Sequence, residues 1–284
     1  MRSVVDDATL ALLLEVTGTP KPGNVDRHRD HPDLRFEHFL AGSVGARSGL
    51  SLMIEGGPLG AAFERSVEGM ADQRGGNTQF GALLLLAPLV RAANVDEVDG
   101  NEDGLSPAGV SDVVAATTVE DAVSFYRAFE HVDVAVEDPP EGLDDLDVRR
   151  GGDAAPALRE RGLTLADVMD LSADVDGVAA EWVGGFERTF EAAGWLLDDD
   201  GPVPDRASRA FLRLLADEVD TFVVKTSSRE AAEEATRRAR AVLDGEEHGE
   251  ELANELVERG INPGTTADLT AGALFVALRR GLEV

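Results

Sequence analysis

The sequence predicts an all-α protein: a single compact multi-helix domain spanning residues 1–284, with a buried helix at its centre. Three observations carry that expectation. Apolar residues recur at helical spacing through most of the chain, while strand-like alternation is scarce. The run "FGALLLLAPLV" (80–90) is apolar on nearly every face, as suits a helix enclosed by others. No fixed-period repeat appears, and neither of the two acidic connectors is long enough to force a division into domains.

In chain order, the first helix is expected over 4–16, where Leu10, Leu13, Leu14 and then Thr17 fall on one face. Residues 33–56 carry small side chains at Ala41, Gly42, Gly45, Ala46 and Gly49. Without bulk at those positions a neighbouring backbone can come close, so a tightly packed helix is expected there, within one chain or across a homodimer. Pro58 suits the opening of a helix over 58–73. The segment "RGGNT" then breaks the pattern before the apolar central helix at 79–93. Residues 94–110 and 136–156 are acidic and turn-rich, and read as surface connections with room for a strand or a helix cap in part of each. Between them, 111–132 is amphipathic, with Ser111 or Thr118 as its cap. Further helices are expected at about 163–170, 174–194, 204–217, 229–243, 248–259 and 265–280. Trp182, Trp195 and Tyr126 fall inside helical patterns and are expected in the core.

Composition narrows the function. The formal net charge is −29, and the acidic residues are spread along the chain. A phosphate backbone needs concentrated Lys and Arg, so direct nucleic-acid binding is not expected, and an acidic lipid surface is repelled likewise. The basic residues are nearly all arginine, with lysine only at Lys21 and Lys225. That combination resembles a halophilic surface, bathed in salt that screens the mutual repulsion of carboxylates. The absence of cysteine excludes disulfides, thiolate metal sites and cysteine nucleophiles. The N-terminus lacks a signal-peptide pattern, and the apolar run at 80–90 falls short of the roughly 20 residues that span a bilayer. A cytoplasmic, non-membrane protein is the expectation.

Four segments set polar residues beside glycine and proline next to apolar helices: "TPKPGNVDRHRDHPD" (19–33), "RGGNTQFG" (74–81), "DTFVVKTSS" (220–228) and "INPGTTADL" (261–269). In the first, prolines flank Lys21 and Gly23 allows a turn, which would hold the ammonium as a fixed point charge suited to phosphate. Asp26, His31 and Asp33 follow, oxygen-rich as magnesium prefers; a helix-terminating turn with solvated aspartates is the plainer alternative. In the second, Asn77 and Thr78 open the central helix, either as anion-binding N–H groups or as ordinary caps. In the third, Lys225 either binds phosphate or caps a helix end. In the fourth, Thr265 and Asp268 have capping-box spacing, although that box prefers Glu or Gln at the later position. The common nucleotide and hydrolase signatures, GxGxxG, Walker A, HExxH and GxSxG, are missing.

Taken together and in order, these segments resemble the triphosphoribosyl-dephospho-CoA synthase family. "EVTGTPKPGNVDR" is similar to that family's opening "TPKPGLVDR", and "HPDLRFEHFL" to its "HxDM...FL" continuation. "GGNTQFGALLLLAPL" resembles its "NTHKG" helix start, while "DTFVVK" and "NPGTTADL" resemble its "DT" and "SPGGSADLL" motifs. The resemblance runs from residue 15 to about 275 and implies an all-α enzyme. Its chemistry would be pentosyl transfer: the triphosphoribosyl part of ATP moves to the 2'-hydroxyl of dephospho-CoA, with release of adenine, in prosthetic-group biosynthesis.

Cleavage of a glycosidic C–N bond develops positive charge at the ribose C1, which calls for carboxylates, and the triphosphate calls for cations and N–H donors. On the resemblance, Asp26, Asp33 and Glu15 are the catalytic candidates. Lys21, Gly23, Arg27, Asn77, Thr78, Thr221 and Lys225 are assigned to nucleotide and phosphate, and Asp220 and Asp268 to Mg2+. The partners implied are ATP and a dephospho-CoA-like acceptor. The chain departs from the family at Gln79 and Phe80, where His-Lys is usual, at Arg29 and Asp30 for Gly-Ala, and at Thr265 and Thr266 for Gly-Ser. A related nucleotide-dependent transferase with another acceptor is therefore one alternative, and a non-catalytic nucleotide-binding protein is another.

Overall fold

Most helices begin at a short polar side chain that accepts a first-turn N–H, or beside a proline suited to a helix start. The computed structural model describes residues 2–99, 105–139 and 141–284. Its regular elements are fifteen α-helices and two 3₁₀ turns among the described residues. The first, α1 (Val4–Thr17), opens on a capping box in which Ser3 Oγ accepts the Asp6 N–H at 3.1 Å and the Asp6 carboxylate accepts the Ser3 N–H at 3.2 Å.

The small residues of 33–56 make an antiparallel pair inside the chain. In α2 (Phe36–Ile54) and α3 (Leu59–Met70), Gly45 faces Gly69 so closely that a Cβ on Gly45 would lie 2.0 Å from the Gly69 carbonyl oxygen. Gly49 meets Ser66 in the same way, at 2.2 Å from its Oγ. Gly45 and Gly49 of α2 are thus engaged by α3 of the same molecule, while Gly42 faces Thr78 Oγ1, 2.6 Å from where its Cβ would lie.

The expected central helix is α4 (Phe80–Asp99), whose residues from Ala82 to Val90 are buried. The predicted connection at 94–110 is helical up to Asp99; residues 100–104 lie outside the described residues. A single helix at 111–132 is replaced by two, α5 (Pro107–Ala115) and α6 (Val119–Ala128), because Thr118 forms a capping box with Asp121 and starts afresh. The acidic stretch after α6 contains the 3₁₀ turns Asp144–Leu146 and Val148–Ala154 and then α7 (Ala155–Arg161). After α8 (Leu165–Ser172), the single helix expected at 174–194 again divides, into α9 (Gly177–Val183) and α10 (Glu187–Asp198). Gly185 at φ 70° and Phe186 at φ 62° turn the chain between them. The buried Glu181 carboxylate meets the new helix start, accepting from Thr189 N at 2.9 Å.

The remaining helices are α11 (Val203–Asp217), α12 (Thr221–Thr226), α13 (Arg229–Leu243), α14 (Gly249–Glu258) and α15 (Gly264–Arg279). Like α4, α15 is enclosed, with every residue from Leu269 to Leu278 buried. The main core lies around these two helices, and a smaller one lies under α11 to α14. Trp182 and Tyr126 are each 2 % exposed and belong to the core, while Trp195 is half-buried against it. No helix among the described residues is long and apolar enough to cross a membrane.

Candidate functional site

The four polar segments, far apart in sequence, meet at one end of α4 and α15. The first is folded upon Asp26, which is wholly buried. Asp26 Oδ2 accepts from Thr19 Oγ1 at 2.8 Å, from the Lys21 N–H at 3.3 Å and from the Arg29 guanidinium at 2.8 Å, while Oδ1 accepts the His28 N–H at 2.8 Å. With both oxygens engaged, Asp26 shapes the loop. The loop is then laid against the start of α15: Asn24 Nδ2 donates to the Pro263 carbonyl at 3.0 Å. Gly23, at φ +77°, passes so near Ile261 that a Cβ would lie 2.1 Å from its carbonyl oxygen. Only glycine satisfies both demands there.

Within this fold Lys21 is turned inward. It is fully buried, and its Nζ donates to Glu15 Oε1 on the last turn of α1. Burial pushes the Glu15 carboxyl upward, and the Lys21 ammonium opposes that shift. Glu15 lines the cleft described below, whereas Lys21 stands behind it.

The third and fourth segments are stitched together. Asp220 caps α12 through Val223 N at 3.0 Å, and its other oxygen accepts Thr266 N at 2.8 Å and Thr266 Oγ1 at 2.7 Å. Thr221 Oγ1 accepts the Gly177 N–H and lies 3.0 Å from Thr265 Oγ1. Because the Thr265 hydroxyl faces α12, the capping box with Asp268 does not form. The Asp268 carboxylate leans instead on Gly81, where a Cβ would lie 2.0 Å from Oδ2. Burial, and then the like charges of Glu15 and Asp220, push the Asp268 carboxyl well above its usual range. Burial also raises Asp220, against the hydrogen bonds from Thr266.

The second segment supplies the mouth of α4. Asn77 Oδ1 caps it by accepting the Phe80 N–H at 3.1 Å. The Thr78 hydroxyl is buried without a partner, and so is Asn262 Oδ1 across the cleft. At the positions where the family has His-Lys, Gln79 and Phe80 are both structural. Gln79 bridges α1 and α2 by donating to the Leu12 carbonyl and accepting from Ser43 Oγ, and Phe80 packs 4.8 Å from Phe129, centroid to centroid. Arg29, another departure, clamps the first loop to α14 through Asn254 and Glu250.

These segments open on one cleft of about 670 Å3, within the range of small-molecule sites. Its polar end is lined by Glu15, Asn77, Thr78, Asp176, Lys225 and Asp268. Lys225 pairs with Asp176, whose other oxygen caps α9, and it is the one basic side chain among the described residues lining the cleft. Arg27 and Asp33 are exposed and lie outside that lining. Among the described residues no group of three or more His, Asp or Glu is arranged to hold a metal. Asp176 and Asn262 were not singled out by sequence. One aspartate in so acidic a chain gives no signal, and Asn262 only adjoins the Pro-Gly pair.

The family model "CitG: ATP:dephospho-CoA triphosphoribosyl transferase" matches residues 1–283 of this chain. A crystal structure from Archaeoglobus fulgidus, described provisionally as a triphosphoribosyl-dephospho-CoA synthase, is 27% identical and superposes with a TM-score of 0.68. That similarity covers 88% of this chain and 100% of the other. No curated protein matches.

Proposed function

This chain belongs to the ATP:dephospho-CoA triphosphoribosyl transferase family, and on that premise we propose that it transfers the triphosphoribosyl group of ATP to the 2'-hydroxyl of dephospho-CoA. The observation that carries this proposal is the convergence of Glu15, Lys225 and Asp268 on a single cleft at the opening of α4, beside the unpartnered Oδ1 of Asn262. Buried polar atoms ordinarily find partners, so an unpartnered one on a residue lining the cavity points to a ligand that supplies it.

In the transfer, the bond from ribose C1 to adenine breaks, its electron pair leaving with the base, and a bond forms from C1 to the acceptor oxygen. We assign Glu15 to the acceptor hydroxyl, whose proton it takes and passes on toward the departing adenine. Lys21 opposes the upward push of burial on Glu15 and holds its carboxyl in place, so Lys21 acts as a positioning residue. Lys225 and the N–H groups at the start of α4 hold phosphate, helped by the positive end of the helix. Asp26, Gly23 and Thr221 shape the walls, and Asp220 fixes the two segments that present Asp268.

Mg2+ fits this donor set. One ammonium does not balance a triphosphate set among Glu15, Asp176 and Asp268. Asp268, whose carboxyl is raised by burial and then by the like charges of Glu15 and Asp220, would hold the divalent ion. Magnesium is commonly held by one or two carboxylates together with substrate phosphates, so no larger protein cage is needed. When bound, the ion would neutralise phosphate charge. With ATP as donor, the reaction belongs in the cytoplasm.

The test is chromatography of free adenine from ATP and Mg2+ at high salt, with and without dephospho-CoA. Adenine is expected only with the acceptor, and Glu15→Gln is expected to lower kcat by roughly 10²–10⁴-fold. Chelation of Mg2+ should stop release. ATP binding without adenine release across a broad range of acceptors would overturn the transferase assignment.

A further inference from the structure

Beyond its polar end, the same cleft continues into an apolar chamber walled by Phe129, Leu146, Leu171 and Val175 and by the chain segment carrying Val134 and Val136. Resting on the function proposed above, we infer that this chamber is the acceptor-reading subsite, and that it takes an uncharged, amide-bearing arm such as the pantetheine arm of dephospho-CoA.

Three observations point there. First, the chamber rim carries Glu137, Asp138, Asp147 and Asp174 and no basic side chain among the described lining residues. Arg149 answers Asp138 and Asp147 from just outside this lining, which leaves the negative sign of the rim to Glu137 and Asp174. A phosphate gains no attraction there, and an uncharged part of a substrate is favoured. Second, large apolar side chains face outward where the surface is otherwise acidic: Leu171 is 45% exposed and Val175 51%. Clustered exposed apolar surface beside a polar site marks a ligand contact more than chance exposure. Third, residues 133–139 run without turn or bend. The backbone N–H and C=O groups of 134–138 make no hydrogen bond to another described residue.

Five residues of straight chain extend for about 16 Å, as an edge strand would. A row of free amides over that length suits a long arm with amides of its own, pairing as an added strand does. A flat base is shorter and leaves most of the row unused. The neutral arm therefore fits both the sign of the rim and the length of the wall.

The experiment is calorimetric titration at high salt of dephospho-CoA and of ADP, which shares the nucleotide but lacks the arm. It uses the wild-type chain and the variants Leu171→Asp and Val136→Asp, both at partly or largely exposed positions. Wild type is expected to bind dephospho-CoA at least tenfold more tightly than ADP. Each variant is expected to bring the two within about threefold by weakening dephospho-CoA alone, with circular dichroism unchanged. Equal binding of the two ligands by wild type, or equal loss of both in the variants, would overturn the inference. A wild type that shows the preference yet releases no adenine would support the subsite and refute the transferase chemistry, so the two failures are distinguishable.

Discussion

At the scale of the residue, Lys21 changes meaning between sequence and structure. A lone lysine in a rigid Pro-Lys-Pro-Gly loop suggests a phosphate ligand, but its burial against Glu15 gives it a supporting part. Breaking a buried pair leaves one charge without compensation and typically costs about 3–5 kcal/mol, whereas replacing both partners costs much less. Lys21→Met is therefore expected to lower stability by about that amount, and Lys21→Met combined with Glu15→Gln to recover most of it. Guanidinium denaturation of the four members of the cycle measures the coupling. The coupling should persist at high salt, because buried pairs are poorly screened, unlike that of the exposed Arg65–Glu68 pair. Additive effects of the two substitutions would refute the pairing. The convergence of Glu15, Asp176 and Asp268 was not legible in the sequence for a related reason. Each carboxylate belongs to a different element, and no local spacing reports a meeting made by tertiary packing.

At the scale of the element, long periodic helices were legible and short ones were not. The expectations at 4–16, 204–217 and 229–243 agree with α1, α11 and α13 to within a residue or two. α11 and α13 show their period, whereas α1 is buried on most faces and Leu10, Leu13 and Thr17 lie on its least buried side. α12 has only six residues, less than two turns, and its apolar triplet carries no period at all. Thr118 was legible as a cap but not as a division, and the break at Gly185 was hidden by a pattern that stays amphipathic across it. The small-residue face of α2 was visible, but its partner was not, since Gly, Ala and Ser favour close approach to any helix. The structure spends that face on α3, which makes a prediction. Gly45→Val inserts a branched side chain where even a Cβ meets the Gly69 carbonyl at 2.0 Å. Overpacking of this kind typically costs 1–3 kcal/mol, and here about 3 kcal/mol or more is expected because the obstacle is backbone. A melting temperature unchanged by the substitution would show that α2 and α3 are not held at this distance.

At the scale of the whole molecule, the net charge of −29 sets the conditions under which every other contact operates. Arginines answer many of the acids in surface pairs such as Arg159–Glu120 and Arg161–Asp145, yet 55 acidic residues stand against 26 basic ones. The excess repels itself in the compact state more than in an extended chain, which lowers stability. Salt shortens the reach of that repulsion from about 10 Å at 0.1 M to about 3 Å at 1 M. If repulsion limits stability, the melting temperature should rise on adding KCl, and most of the rise should come at the lowest concentrations, where the screening length changes fastest. A relief of about 3 kcal/mol would appear as roughly 5 °C in a chain of this size. Salt also strengthens burial by exclusion from the surface, but that effect keeps growing with concentration and is larger for sulfate than for chloride. Thermal scans in KCl and in potassium sulfate at matched ionic strength therefore separate the two causes. Coincident curves that flatten by about 1 M would assign the effect to charge. Curves that are flat at low salt and diverge at high salt would show that the acidic surface is tolerated without screening, and would remove the case for a high-salt habitat.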